Sequence, residues 1–371
     1  MAASPEGEMS KEAKGEMSKE AKGEMSREEK GEMSRDETDG AAQPDTQKAL
    51  DGSARRRRYE RVQGGPAPAL TAQKLALLRF VAELRLLSMP QLARLTGLSE
   101  RSARRHLREL FDAGLVDRIP VPRAALAPAA EGNDARLLYG SAPTVYVSVK
   151  AGVALLVKAG YLPPDAQRLP LPEYGPRNSV FLAHELAVRD ARVWLECDAA
   201  KHAGRGVLRW SDGREATIPL PDAGVARPDA WFVYRLGRLP PVTEVPDRPL
   251  VLVGLVETDR GTERGGARWG SKFEDYRRLL LDRAALAAAT GYVNARVLVL
   301  TPDAQRRDAL AGLLAERARE TGAAAALLGR FWLAERSILE GAELTEPAWR
   351  RPGSDGLWPL VTAGTLAPAA P

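Results

Sequence analysis

For its first 66 residues the chain has no sustained hydrophobic rhythm, and from there on it has one. Residues 74–87, KLALLRFVAELRLL, place apolar side chains at helical spacing and predict an amphipathic helix. A short helix follows from Ser88, with Pro90 in its first turn, where a missing N–H costs nothing. Leu92, Leu95 and Leu98 give that unit its apolar side. Gly97 permits a tight turn, and Ser99 is placed to cap the next helix. There Ala103, Leu107 and Leu110 recur at i, i+4 and i+7, so one stripe turns towards a core. Gly114 and Leu115 end that helix and the period changes to two. Residues 116–121 and 144–149 read as an outgoing and a returning strand.

A second rhythm begins after Pro163, Pro164, Pro170, Pro172 and Pro176, which mark a linker. The pattern predicts a helix at 180–197 and strands at 206–210, 228–234 and 250–257. A helix at 269–289, a strand at 295–301, a helix at 302–320 and a short element at 331–339 follow. The order α-β-β-β-α-β-α gives a mixed sheet flanked by helices, an α/β fold. The chain thus divides into a tail (1–66), a helix-turn-helix domain (67–160), a linker (161–177), an α/β domain (178–345) and a C-terminal tail (346–371).

The tail owes its lack of rhythm to a tandem octapeptide, GEMSKEAK from Gly7 and Gly15, GEMSREEK from Gly23 and GEMSRDET from Gly31. One glycine and one large apolar residue per repeat cannot sustain a helix or build a core, so disorder is expected. Residues 1–40 carry twelve acids and seven bases, net −5, against +5 for the whole chain, which leaves +10 on the remainder. That excess favours a polyanionic partner. The run Arg55 to Arg58 fits either an arm that clamps phosphates or a solvated linker. A lone cysteine, Cys197, excludes an intramolecular disulfide and fits a reducing compartment. Neither a membrane-length apolar run nor a signal-peptide pattern is present, and a cytoplasmic protein with no membrane partner is expected.

Charge sharpens the helix-turn-helix. Residues 71–118 hold nine Lys/Arg and five Asp/Glu, and Arg101, Arg104, Arg105 and Arg108 lie mainly off the apolar stripe of the second helix. A helix with an apolar back and guanidinium groups in front suits the major groove, where arginine grips phosphates and reads guanine edges. Ser99, Arg101, Ser102, Arg104, Arg105 and Arg108 are therefore the candidate DNA contacts. The two following strands, joined by a long segment bearing Arg123 and Arg136, complete a winged helix. An ordinary helical hairpin with a solvated charged face is the plainer reading of the same pattern.

Acidic residues mark the second domain. Arg227-Pro228-Asp229 opens its second strand, and Glu257-Thr258-Asp259-Arg260 closes its third. This arrangement resembles the PD-(D/E)XK nuclease superfamily, with its restriction-endonuclease-like α-β-β-β-α-β core. More specifically, a winged helix followed by HELAVRD, RPD, ETDRGTE and a helix bearing Lys272 and Tyr276 looks like the replication-relaxation family of plasmid and mobile-element proteins. The likeness covers roughly residues 70–340. It implies a site in which Asp229 and Glu257 share Mg²⁺, a hard cation that takes carboxylate oxygens and water. The superfamily lysine belongs two residues after Glu257, where this chain has Asp259. Lys272 is a candidate substitute, because Arg268, Lys272 and Tyr276 share one helix face. His184, beside Glu185 on the first helix, is a further candidate. The candidate catalytic set is thus Asp229, Glu257, Asp259, Lys272 and His184. Asp229 equally fits a turn cap, Glu257 and Asp259 a strand leaving the core, and Lys272 a salt-bridged helix face.

These features converge on a DNA-binding protein of plasmid or mobile-element replication, relaxation or mobilisation. Its alternatives are a transcriptional regulator with a ligand-sensing or dimerising C-terminal domain, a metal-dependent endonuclease, and a non-cleaving adaptor. The expected partners are double-stranded DNA and, by the resemblance, a relaxase or replication initiator. A homodimer stays open.

Overall fold

Thr71 accepts a hydrogen bond from the Lys74 amide and opens helix α1 (Ala72–Leu84), which buries Leu77, Leu78, Val81 and Leu84. The structure is a computed structural model that describes residues 59–62, 68–121, 143–168, 179–221, 224–238, 249–261 and 266–362. The octapeptide repeats, Arg55 to Arg58, Arg123, Arg136 and most of the proline-rich linker lie outside the described residues.

Helix α1 stops three residues earlier than its apolar rhythm predicts. Arg85 takes φ 67, and the next three residues form strand β1 (Leu86–Ser88) instead of another turn. Helical spacing cannot distinguish Leu86 and Leu87 in a strand from a last helical turn; the pairing that decides it comes from a distant segment. Ser88 then opens α2 (Met89–Thr96) with a reciprocal capping box to Gln91 and Pro90 in the first turn. Gly97 closes α2 in the left-handed region at φ 65, where glycine carries no Cβ penalty. Ser99 caps α3 (Glu100–Asp112), whose Ala103, Leu107 and Leu110 are buried as their spacing predicts. Strands β2 (Val116–Ile119) and β3 (Val145–Ser148) pair antiparallel, and the small sheet runs β1-β3-β2. Helix α4 (Lys150–Lys158) packs so closely that a Cβ at Gly152 would lie 2.2 Å from the Leu115 carbonyl oxygen.

The predicted N-terminal tail is too long by a few residues. The Arg61 guanidinium lies over the Phe111 ring at 4.9 Å and reaches Asp117 at 3.0 Å, while the Val62 amide donates to Asp112. A stacked, paired arginine fixes this stretch against α3 without any apolar periodicity to announce it.

Helix α5 (Ser179–Lys201) joins the two halves that the sequence separates at 161–177. Leu182 and Leu186 pack with β1 and β3, and Val193 enters the core of α1–α3. Val188, Ala191, Trp194 and Leu195 cover the large sheet instead. A helix buried on two sides has no single polar face.

That sheet orders β12-β11-β10-β9-β8-β7-β4, where the strands are β4 (Gly206–Asp212), β7 (Ala230–Arg238), β8 (Pro249–Thr258), β9 (Arg296–Thr301), β10 (Phe331–Glu335), β11 (Pro347–Arg350) and β12 (Leu357–Pro359). Only the β8–β9 and β9–β10 pairs are parallel, so the sheet is mixed, as expected for the α/β class. β5 (Ile218–Pro219) and β6 (Val225–Ala226) form a separate ribbon. Helices α6 (Ala267–Leu281), α7 (Arg283–Thr290) and α8 (Ala304–Glu320) cover the face opposite α5, and the short α9 (Ala325–Leu328) leads into β10.

Two further expectations change. The single helix expected over 269–289 breaks at Asp282, whose carboxylate caps α7 through the Ala285 amide. The expected C-terminal tail instead supplies β11 and β12. Trp349 is fully buried with its ring 6.1 Å from Trp194, and Leu360 and Val361 close the same core. One or two apolar residues per short strand leave too little alternation to read.

Candidate functional site

The period of two along β7 and β8 aims Glu257 at α6 and brings Asp229 into the same cleft. Val251, Val253 and Leu255 of β8 and Trp231 and Val233 of β7 join the core under α6. Glu257 and Asp229 continue those same alternations. Asp229 is fixed by its backbone, which donates to the Val256 carbonyl at 3.0 Å and accepts from the Gly213 amide at 3.3 Å. Its Oδ2 accepts from the Thr258 amide at 2.7 Å, and His184 Nε2 from α5 lies 3.2 Å from Oδ1. Across the site, Glu257 is 1% exposed; Lys272 Nζ donates to its Oε2 and the Tyr276 hydroxyl to its Oε1. Lys272 and Tyr276 are one turn apart on α6, so both reach one carboxylate.

The two acids are pushed in opposite directions. Burial, reinforced by the Asp229 charge, raises the Glu257 carboxyl to about 7 against the pull of Lys272 and Tyr276. Burial would raise Asp229 too, but the hydrogen bond and charge of His184, the charge of Lys272 and the Thr258 amide outweigh it and hold it below the ordinary carboxylate range.

Asp259 does not join them. Its Oδ2 accepts from Arg306 at 2.8 Å and from the Trp269 indole at 2.9 Å, and its Oδ1 from the Gly261 amide at 2.6 Å. The position where the resemblance expects lysine therefore ties α6 and α8 to the end of β8. Among the described residues no three His, Cys, Asp or Glu side chains converge to hold a metal ion. The available donors are the two carboxylates of Asp229 and Glu257. That suits a Mg²⁺ completing its shell with water and phosphate oxygens and is too little for a closed protein cage.

The site opens into a cleft of about 910 Å³, continued by a smaller hollow of about 320 Å³. Arg85, Arg214, Arg227, Arg268 and Lys272 bring positive charge to it. Part of that charge is already answered, since Arg85 meets Glu215 at 3.2 Å. Phe181, 69% exposed, stands at the rim one helical turn before His184.

On α3 the structure separates the candidate contacts. Arg101, Arg104 and Arg105 are exposed, and Arg104 has only a loose 3.9 Å approach to Glu100. Arg108 instead binds Asp112 at 2.8 Å and the Glu60 carbonyl at 2.8 Å, with its guanidinium over Phe111. Ser99 and Ser102 meet at the helix start, where Ser99 accepts from the Ser102 amide. His106 is buried within the bundle; burial first, then Arg105, lowers its imidazole's affinity for a proton.

The replication-relaxation family profile matches residues 78–294, more than half of the chain. The chain belongs to the replication-relaxation family. No curated protein and no solved structure matches it. The matched span runs from α1 through α7 and takes in both α3 and the carboxylate pair, so this replication-relaxation protein carries its two candidate sites inside the family region. Among the described residues no helix is long and apolar enough to cross a membrane.

Sequence reasoning missed Arg189 as a positioning residue. Its guanidinium donates to Asp212 at 2.6 Å and to the Leu84 carbonyl at 2.9 Å, holding α5 to β4 and to the end of α1. The available signal was its place five residues after His184 on a helix otherwise apolar on two sides. The Thr258 amide, a backbone group, has no signature at all.

Proposed function

We propose that this is a DNA-binding protein of plasmid or mobile-element replication-relaxation, in which α3 holds duplex DNA and the cleft at Asp229 and Glu257 engages a phosphate of the same DNA. The observation that carries the reading is the exposed trio Arg101, Arg104 and Arg105 on a capped helix whose opposite face is buried. Read with β1, β2 and β3, the α1–α3 unit has the parts of a winged helix, and its α3 is the element that enters a major groove in such folds. Each guanidinium–phosphate contact releases condensed counterions and contributes about 0.9 to the slope of log K against log salt. Arg104→Ala/Arg105→Ala should therefore weaken duplex binding and flatten that slope by about one to two. Unchanged affinity and slope would remove α3 from the interface. A transcriptional regulator would bind in the same way but retain its affinity for one operator when the cleft residues are changed.

A second reading, metal-dependent cleavage, is favoured by the meeting of Asp229, Glu257, Lys272 and His184 in one cleft. Asp229 and Glu257 would hold Mg²⁺, which when bound supplies an activated water and neutralises charge on a phosphate. Lys272 presents its ammonium from α6 towards the same position, which offsets negative charge developing on the phosphate oxygens. The hydrogen-bonding distance to Asp229 orients the His184 imidazole at the mouth of the site. Supercoiled DNA with Mg²⁺ should then yield nicked or linear product that disappears in Glu257→Ala and falls strongly in Lys272→Ala. Binding without cleavage across divalent metals assigns the cleft a holding role.

A further inference from the structure

A groove of about 650 Å³ lies at the other end of the large sheet from Glu257. Glu257 is near the C-terminal end of β8, whereas the groove takes Leu250 to Val253 from the start of that strand and Arg296 from the first position of β9. Three arginines line it, Arg296, Arg330 and Arg351, and no acidic residue does. Arg296 donates to the Leu360 carbonyl and Arg330 to the Asn294 side chain at 3.1 Å; among the described residues none of the three meets a carboxylate. Like charges gathered without a counter-ion repel one another, an arrangement that an arriving anion relieves. Burial, then Arg330 and Arg351, already weakens the proton affinity of Arg296.

The aromatic part of the groove is equally specific. Arg296 and Arg351 lie over the Trp332 ring at 4.6 and 5.2 Å, and Arg351 is 5.4 Å from the ring centre of Trp358. Trp358 is 41% exposed and so offers ring surface to solvent. Trp332 is 7% exposed, and among the described residues its indole N–H has no acceptor, nor has the buried Nε of Arg351. Orphaned buried donors are rare and call for a partner. Gly329 leaves room for this cluster, since a Cβ there would stand 3.0 Å from Arg351 Nη2.

We propose that this groove binds a nucleoside phosphate, its phosphate on Arg296, Arg330 and Arg351 and its base against Trp358, the nucleotide being either free or part of a single strand. Guanidinium groups bind phosphate through charge-assisted, often bidentate hydrogen bonds, and exposed aromatic rings stack bases irrespective of sequence. The volume matches a small-ligand pocket. The site is separate from α3 and from the carboxylate cleft, so it stands whether or not those bind DNA.

The test is calorimetric titration of the full chain with AMP, inorganic phosphate, adenosine and an oligothymidylate, repeated on three variants whose thermal melts are checked. AMP should bind more tightly than phosphate or adenosine alone. Arg330→Gln and Arg351→Gln should each weaken AMP about ten-fold or more. Trp358→Ala should weaken AMP and the oligonucleotide while leaving phosphate unchanged. Arg104→Ala/Arg105→Ala should bind AMP as the parent does. An oligonucleotide that binds more tightly than AMP assigns the groove to a strand, and equal or tighter AMP binding assigns it to a free nucleotide. Absence of AMP and oligonucleotide binding at millimolar concentration, or binding undiminished in both arginine variants, overturns the proposal.

Discussion

Replacing Glu257 by glutamine tests whether the site holds a charge that the fold would rather not hold. The carboxyl is raised from an ordinary value of 4.5 to about 7, chiefly by burial and then by Asp229. A tenfold change in proton affinity is worth about 1.36 kcal/mol, so the ionised carboxylate destabilises the native state by about 3 kcal/mol at full effect. The sign follows from proton counting. Between 4.5 and about 7 the folded chain holds the proton and the unfolded chain has lost it, so stability falls as pH rises through that window. Below it both states are protonated and the penalty vanishes; above it the penalty is complete. From pH 5 to pH 8 the parent should lose about 2–3 kcal/mol through this one group. Glu257→Gln retains an acceptor for Tyr276 and has no proton to lose. The attraction of Lys272 for the ionised carboxylate is already contained in the raised value, and Asp229, held below the ordinary range, stays ionised across the window. Urea unfolding of both chains in EDTA at pH 5 and pH 8 gives the four free energies required. The parent-minus-variant difference should change by about 2–3 kcal/mol between the two pH values, favouring the variant at pH 8. Parallel pH profiles would refute a buried, raised carboxyl at this position.

Two other substitutions probe the scaffold. Gly254→Ala in the middle of β8 would place a Cβ 2.4 Å from the Phe232 ring, so a loss of about 1–3 kcal/mol is expected in denaturant unfolding, and an unchanged midpoint would show that the ring has room to move. Trp349→Ala should cost about 3–5 kcal/mol, because Trp349 is fully buried against Trp194; a cost below 1 kcal/mol would return residues 347–359 to the status of an appendage.

The sequence was most legible where one local rule decided the outcome. Ser88, Gly97 and Ser99 act through their own neighbourhoods, and the structure has all three where the capping rules put them. Asp229, Glu257 and Lys272 were legible for another reason. The alternation of two strands and the spacing of one helix fix which face each side chain takes, and the resemblance supplied the pairing of the elements. Asp259 shows where this ends. It follows the same alternation as Glu257, yet Arg306, 47 residues away, draws its carboxylate to α8. β1 is illegible for a similar reason, since Leu86 to Ser88 become a strand only because residues 145–147 pair with them. Arg108 fits the exposed arginine stripe of α3 by spacing, but Asp112 and the Glu60 carbonyl compete for it and win.

The feature with the widest consequence is α5, because it bears on both candidate sites. His184 on its first turns reaches Asp229, while Leu186 and Asp190 receive the Gln91 side chain at 2.9 and 2.7 Å from α2. Arg94 of α2 adds a bond to the Leu339 carbonyl, and Cys197 packs with the same bundle. Gln91 is buried and its side-chain amide is spent on α5, so sliding α2 along α5 would leave that donor unmatched at about 1–3 kcal/mol. Apolar contacts alone would tolerate such sliding, since leucine packs against leucine in several registers. The polar contacts remove that freedom and fix the distance from the arginines of α3 to the carboxylates of the cleft. A duplex held on α3 would therefore present the cleft with phosphates at a set separation along the DNA, and the spacing between the two would belong to the protein's own fold.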